Sequence, residues 1–236
     1  MVVLWMMGAL LSLSLMAVGA RELQRPKLHI VRNLFHFGGQ YGWFLGIGLL
    51  PLAQVFALEF TVPFWVAIIA AVFLGEQLTA RRMLAVALGV TGVVVILKPG
   101  IEMLELASLV VLASALSFSC AYVATKSLSR SEHPLTVLFY MCLVQMPVSL
   151  ILALPNWSLP RDPEQWWWLF IVGVTALTAH FCITTAMKTS DAGIVVTLDF
   201  LRLPLIGLVG ILFYREAFDM VLLLGAGLML AGNLIN

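Results

Sequence analysis

The sequence predicts an all-α, polytopic membrane protein of nine transmembrane helices, and three observations lead there. Hydrophobic residues fill 62% of the 236 positions and charged residues only 11%, a balance outside that of soluble domains. Mean hydropathy is +1.05. Nine apolar windows follow one another, each near the roughly 20 residues that a spanning helix needs. Continuous runs such as Val66 to Leu74 lack the alternation of a membrane β-barrel strand.

The windows run 2–19, 34–52, 54–74, 83–97, 106–125, 135–154, 167–187, 193–213 and 219–235. The first ends in Ala17-Val18-Gly19-Ala20, which suits a cleavage site. Met1-Val2-Val3-Leu4-Trp5 lacks the basic residues that open a signal peptide, so a retained helix is expected. The second carries His36, Gln40 and Tyr41 beside Gly38, Gly42 and Gly46, a small residue every fourth position and hence a close-packing face. Glu59 and Pro63 lie in the third, and Glu76 follows its end. A proline within a helix leaves the carbonyl four residues back without its helical partner, here that of Glu59. Gly92 belongs to the fourth window and His180 to the seventh. Cys120, Cys142 and Cys182 sit in apolar spans without paired spacing and read as small packing residues. The eighth window holds Asp199, Arg202 and Pro204, Glu216 follows it, and the ninth holds Gly232. Neither end has a charged tail or a Gly/Ser linker, so function is expected within the membrane part.

Charge placement gives the orientation. One set of alternate loops holds Arg21, Arg25, Lys27, Arg32, Arg81, Arg82, Lys126, Arg130 and Lys188, while the other holds Lys98, Arg161 and Arg215. This excess puts the first loop and the C-terminus in the cytoplasm and Met1 outside. Trp157 and Trp166-Trp167-Trp168 then mark the outer interface.

An offset of 140 residues lays the second half on the first. Glu76 meets Glu216, and Val55, Leu58, Phe60, Phe73, Leu84, Leu88 and Gly92 meet Val195, Leu198, Phe200, Phe213, Leu224, Leu228 and Gly232. An acid recurs at Glu59 and Asp199, Gln40 falls on His180, and Pro63 nearly matches Pro204. A duplicated membrane protein is expected, with repeats at 1–100 and 103–236.

The stretches Ala57-Leu58-Glu59-Phe60-Thr61-Val62-Pro63, Phe73-Leu74-Gly75-Glu76-Gln77-Leu78-Thr79 and Gly89-Val90-Thr91-Gly92-Val93 resemble the EamA-type repeat of the drug/metabolite transporter superfamily. Leu203-Pro204, Tyr214-Arg215-Glu216 and Gly225 to Gly232 resemble it more loosely. The resemblance covers nearly the whole chain. It implies two inverted five-helix repeats, with Glu76, Glu216, Gly92 and Gly232 as fold markers, and transport of metabolites, amino acids or drugs across the plasma membrane. The family has five helices in its first repeat and this chain shows four, so the first helix is expected to be missing.

A carboxylate in hydrocarbon is costly and rare without a task. Glu59 has no partner three or four residues away to offset its charge, which makes it a candidate proton site as well as a candidate structural hydrogen bonder. Asp199 and Arg202, three apart, either neutralise each other or hold an anionic solute through the planar guanidinium. His36, His180, Gln40 and Tyr41 suggest a cavity wall, and Pro63 and Pro204 suggest helix kinks. From orientation, Glu59 belongs to the outer half of the membrane and Asp199 to the inner half.

No zinc, nucleophile-elbow or phosphate-loop motif occurs, so no enzyme, metal or cofactor is expected. The expected function is secondary-active export of small organic solutes by alternating access, with H+ as a candidate coupling ion and the bilayer as the partner surface. No nucleic-acid partner is expected, and the chain is read as a monomer or homodimer, multi-pass in the plasma membrane. The alternatives are a truncated, non-transporting fragment or assembly partner, and a membrane-embedded hydrolase using His180 or His36 with Asp199.

Overall fold

Long apolar runs punctuated by proline and glycine give helices whose ends those residues set. The computed structural model describes residues 23–50, 52–97, 106–156, 159–199, 212 and 220–235. The window 2–19, Trp157, Arg202, Pro204 and Glu216 lie outside the described residues. The described elements are α1 (Pro26–Leu49), α2 (Leu52–Glu59), α3 (Val62–Leu74), α4 (Ala80–Leu97), α5 (Leu106–Ser129), α6 (Pro134–Ala153) with a 3-10 turn at Leu154–Asn156, α7 (Pro163–Thr189), α8 (Ala192–Asp199) and α9 (Met220–Ile235). No strand occurs among the described residues. Of these helices, α5, α6 and α7 are long and apolar enough to cross a membrane.

The third window is two helices rather than one. α2 stops at Glu59, Phe60 and Thr61 form a turn, and Pro63 stands in the first turn of α3, where its missing N–H is not needed. Thr61 Oγ1 donates to the Leu58 carbonyl at 2.8 Å and so occupies backbone freed by the break. α3 ends at Gly75, whose φ of 70° lies in the left-handed region that glycine enters without strain.

Two compact units form, each drawing chain from both halves of the sequence. The first comprises residues up to Phe37 with Ala124–Ser190, and the second comprises Gly38–Val123 with Asp191 onward. In the first, Leu138, Met141 and Cys142 of α6 make a buried cluster against Met146 and Leu177. Trp167, Trp168, Ile171 and Val172 of α7 are exposed, as side chains meant for lipid would be.

In the second unit, Leu50, Val55, Leu58 and Val111 form the core with Trp43 and Ile47 packed on it. Small residues let α1 approach α5: a side chain at Gly42 would meet Ser114 at 3.3 Å, and one at Gly46 would collide with Val111. Gly38, the remaining member of the expected stripe, faces open space, while Gly39 lies under the Phe118 ring. α9 packs along α4, and α8 packs against α3.

Candidate functional site

α1 is amphipathic in the sense opposite to that of a soluble helix. His29, Arg32, Asn33 and His36 are buried, whereas Ile30, Val31, Leu34 and Phe35 are exposed. Positions spaced three and four apart share a helix face, so the polar residues turn together toward protein while the apolar ones face outward.

The buried face joins α1 to α5 and α6 within the first unit. Arg32 donates from Nε to Thr125 Oγ1 at 3.0 Å and from Nη1 to Asn33 Oδ1 at 2.7 Å. Asn33 Nδ2 donates to the Tyr140 carbonyl at 3.1 Å. Gln145, fully buried on α6, donates from Nε2 to Asn33 Oδ1 at 3.3 Å and to His36 Nδ1 at 3.1 Å. The His36 and His180 rings meet edge to face with centroids 4.9 Å apart, so the structure brings these two expected residues together. Lys126 Nζ donates to the carbonyls of Met187 and Ser190, each at 2.6 Å, and places a cation at the C-terminal end of α7.

One turn into α1, His29 Nε2 lies 2.5 Å from Glu132 Oε2, and both side chains are buried. Glu132 Oε1 accepts the backbone N–H groups of Gln24 at 3.3 Å and Arg25 at 3.1 Å, donors that precede the helix. Arg25 Nη1 donates to Ser127 Oγ at 2.7 Å. His29 Nδ1 is buried without a hydrogen-bond partner among the described residues. A neutral ring that donates from Nε2 to Glu132 keeps Nδ1 bare, which avoids an N–H with no acceptor among the described residues. His29 precedes the apolar window that begins at residue 34. Burial pushes its imidazole below the ordinary value, against the hydrogen bond and charge of Glu132, and Arg32 adds to the fall.

In the second unit, Glu59 is buried at the end of α2 and its Oε2 accepts the Trp43 indole N–H at 2.8 Å. Trp43 also meets the Phe56 ring, with centroids 5.8 Å apart. Gln40 Oε1 on α1 and Trp65 Nε1 on α3 are buried polar atoms with no hydrogen-bond partner among the described residues. Ser114 Oγ donates to the Gly39 carbonyl and Ser119 Oγ to the Val62 carbonyl, so Gln40 and the first turn of α3 flank one stretch of α5. Those two serines stand roughly 7.5 Å apart along the helix. Tyr41 is exposed, and Asp199 is half-buried at the last described position of α8.

Glu76 Oε1 accepts the N–H of Ala192, the first residue of α8, at 2.9 Å. Its Oε2 lies 3.4 Å from Arg82 Nη1, while Arg82 Nη2 donates to Asp191 Oδ2 at 3.2 Å. Gly92 and Gly232 are both buried, and a side chain at Gly232 would come within 2.7 Å of the Ala85 carbonyl oxygen.

Sequence reasoning did not single out Trp43, Asn33, Glu132 and Gln145, and it placed Arg32, Arg82 and Lys126 in loops. All three cations are instead buried on helices, in α1, α4 and α5. The spacing of His29, Arg32, Asn33, His36 and Gln40 was the available signal, since it draws one polar stripe down an otherwise apolar helix.

Comparison with known proteins follows the same lines. The EamA-like transporter family matches over residues 1–98 and 105–236. A riboflavin transporter of Rhizobium johnstonii is 32% identical over 220 residues, which span 93% of this chain and 72% of that protein. An S-adenosylmethionine uptake transporter of Rickettsia felis is 28% identical over 213 residues, 90% of this chain and 72% of that protein. A protein of known crystal structure, 18% identical, superimposes with a TM-score of 0.81 over 99% of this chain and 84% of its own, a likeness of fold. The helical fold, the apolar spans and the family match over both halves agree: this chain belongs to the EamA-like transporter family of integral membrane proteins.

Proposed function

We propose that the chain is a secondary-active transporter of small, planar nitrogen-heterocyclic metabolites, multi-pass in the plasma membrane with its C-terminus cytoplasmic. It works by alternating access between two inverted repeats. One pair of helix limits supports the repeats: α1 and α7 end at Leu49 and Thr189, 140 residues apart. The lack of a phosphate-loop motif supports a carrier driven by a gradient rather than by ATP.

The substrate class rests on one observation, that Gln40 Oε1 and Trp65 Nε1 have no hydrogen-bond partner among the described residues. A buried polar group left unpaired costs about 1–3 kcal/mol, so a solute that satisfies both gains specificity as well as affinity. An acceptor and a donor on the protein ask for a donor and an acceptor on the solute. Flavin and adenine rings, carried by the solutes for which two relatives are named, offer both on one planar edge. Trp43, Phe56 and Trp65 supply aromatic surface in the same unit. Glu59, buried and held by Trp43, serves as the proton site in this reading.

Uptake is the direction to test first and export the alternative, since one relative is named for uptake and another for export. Purified protein in liposomes should move riboflavin down an imposed gradient and respond to a pH difference. Absence of flux for riboflavin, S-adenosylmethionine and simple nucleosides alike would overturn the assignment.

A further inference from the structure

We propose that His29 and Glu132 form a proton-binding site that latches the start of α1 to the turn between α5 and α6. Protonation of His29 releases that latch. The site lies on the side that the Lys and Arg distribution assigns to the cytoplasm, so cytoplasmic pH acts on the transport read above, and the inference rests on that reading for its role in transport alone.

Four observations converge. His29 and Glu132 are both within 2% of full burial, and they meet at 2.5 Å. Glu132 also holds the N–H groups of Gln24 and Arg25, so one carboxylate secures both the side chain at the first turn and the backbone that leads into it. His29 Nδ1 has no partner among the described residues, although its ring is packed against Tyr140 with centroids 4.8 Å apart. The neighbouring charges are Arg32 on α1, which acts against a charged His29, and Arg25 just before the helix, whose backbone N–H Glu132 accepts, with His133 beside Glu132 in the turn and Tyr140 on α6, while Lys126 on α5 is held by the Met187 and Ser190 carbonyls.

In the latched state the imidazole is neutral and donates from Nε2. A second proton must enter at Nδ1, which creates a buried N–H with no acceptor among the described residues and a second positive charge close to Arg32. The arrangement relaxes by moving the ring toward water, and Glu132 then loses its hold on the α1 entry. A titratable ring whose second nitrogen is kept dry and unpaired is thereby a sensor, whereas a paired one would be a strut.

The linkage has a definite sign. Stability contributed by neutral His29 is fully present above the ordinary imidazole value of 6.5 and is lost as pH falls below it toward the lowered value in the folded protein. Hydrogen exchange of the full-length protein in detergent, read by mass spectrometry over residues 23–30, tests this without any transported solute. After correction for intrinsic rates, protection at Gln24 and Arg25 should fall several-fold in the wild type between about pH 7.5 and about pH 5.5, the range in which histidine titrates. His29→Gln keeps an amide donor for Glu132 and cannot titrate, so its protection should stay flat.

Wild-type protection that is independent of pH overturns the latch, as does an equal loss of protection in His29→Gln. If His29→Gln does not fold, Glu132→Ala replaces it, since it removes the acceptor of the Gln24 and Arg25 N–H groups; low protection at both pH values is expected, and wild-type protection overturns the proposal. Failure of riboflavin flux together with a pH-dependent latch in exchange would sink the transport assignment and leave the site standing.

Discussion

Glu76 and Ala192 are 116 residues apart in sequence, yet the Glu76 carboxylate accepts the Ala192 N–H at 2.9 Å. A residue at the end of α3 thus caps the start of α8, where the first backbone donors of a helix have no internal partner. The carboxylate also stands beside Arg82, which reaches Asp191 and the Gln77 carbonyl. One buried acid therefore caps a helix start by a hydrogen bond and faces a guanidinium by charge.

Glu76→Ala removes both functions and should cost about 1–3 kcal/mol, the range for a buried group losing its hydrogen-bond partner. Glu76→Gln keeps an oxygen for Ala192 and should cost less, since Arg82 retains Asp191 and the Gln77 carbonyl. Thermal unfolding in detergent separates the two. Equal losses would show that charge on Arg82, rather than the cap, sets the value of Glu76.

Gly232 and Gly227 lie on the same helix and differ in what surrounds them. A side chain at Gly232 would sit 2.7 Å from a backbone oxygen of α4, which cannot swing aside, whereas one at Gly227 meets nothing within 4 Å. Gly232→Ala should therefore separate α4 from α9 and destabilise by about 1–3 kcal/mol, the range for overpacking. Gly227→Ala should be neutral or slightly stabilising, because alanine exceeds glycine in helix propensity. Melting temperatures of the two variants, measured side by side, check the contrast.

Much of the fold class was legible because hydropathy and length state which segments suit hydrocarbon. Helix limits were less so. α1 begins at Pro26, eight residues before its apolar window, and α5 runs to Ser129, beyond its window, because a helix continues wherever its polar residues find partners. Windows average over all faces of a helix and so register Arg32 and Lys126 only as charges that end a span. Their burial depends on Thr125 and on the Met187 and Ser190 carbonyls, which lie elsewhere in sequence. Glu59 stood out as an acid in an apolar run, but Trp43, 16 residues earlier on another helix, could be matched to it only in three dimensions.

That pairing predicts a graded effect on proton coupling. Trp43→Phe keeps the ring that packs on Phe56 and removes the N–H given to Glu59. Uptake in liposomes should then fall by about tenfold, as for loss of roughly 1.4 kcal/mol from a charge-assisted hydrogen bond, with its pH response retained but displaced. Glu59→Gln should instead flatten the response between about pH 5 and about pH 8 while the protein stays inserted. An unchanged pH profile in Glu59→Gln would remove the proton role.

Gln40 and Trp65 give the sharpest test of substrate contact, because each carries a buried polar atom with no hydrogen-bond partner among the described residues. Removing such an atom costs the fold little and can stabilise it, since no hydrogen bond is lost. Removing it costs binding, since a solute that satisfied it is left with its own group unpaired. Trp65→Phe and Gln40→Met should therefore leave the melting temperature unchanged or raised. They should raise the KM for riboflavin by about tenfold each, the size expected for roughly 1.4 kcal/mol of lost recognition. A structural role predicts the reverse pattern, a lower melting temperature with KM unchanged, so the two measurements together decide between solute contact and packing.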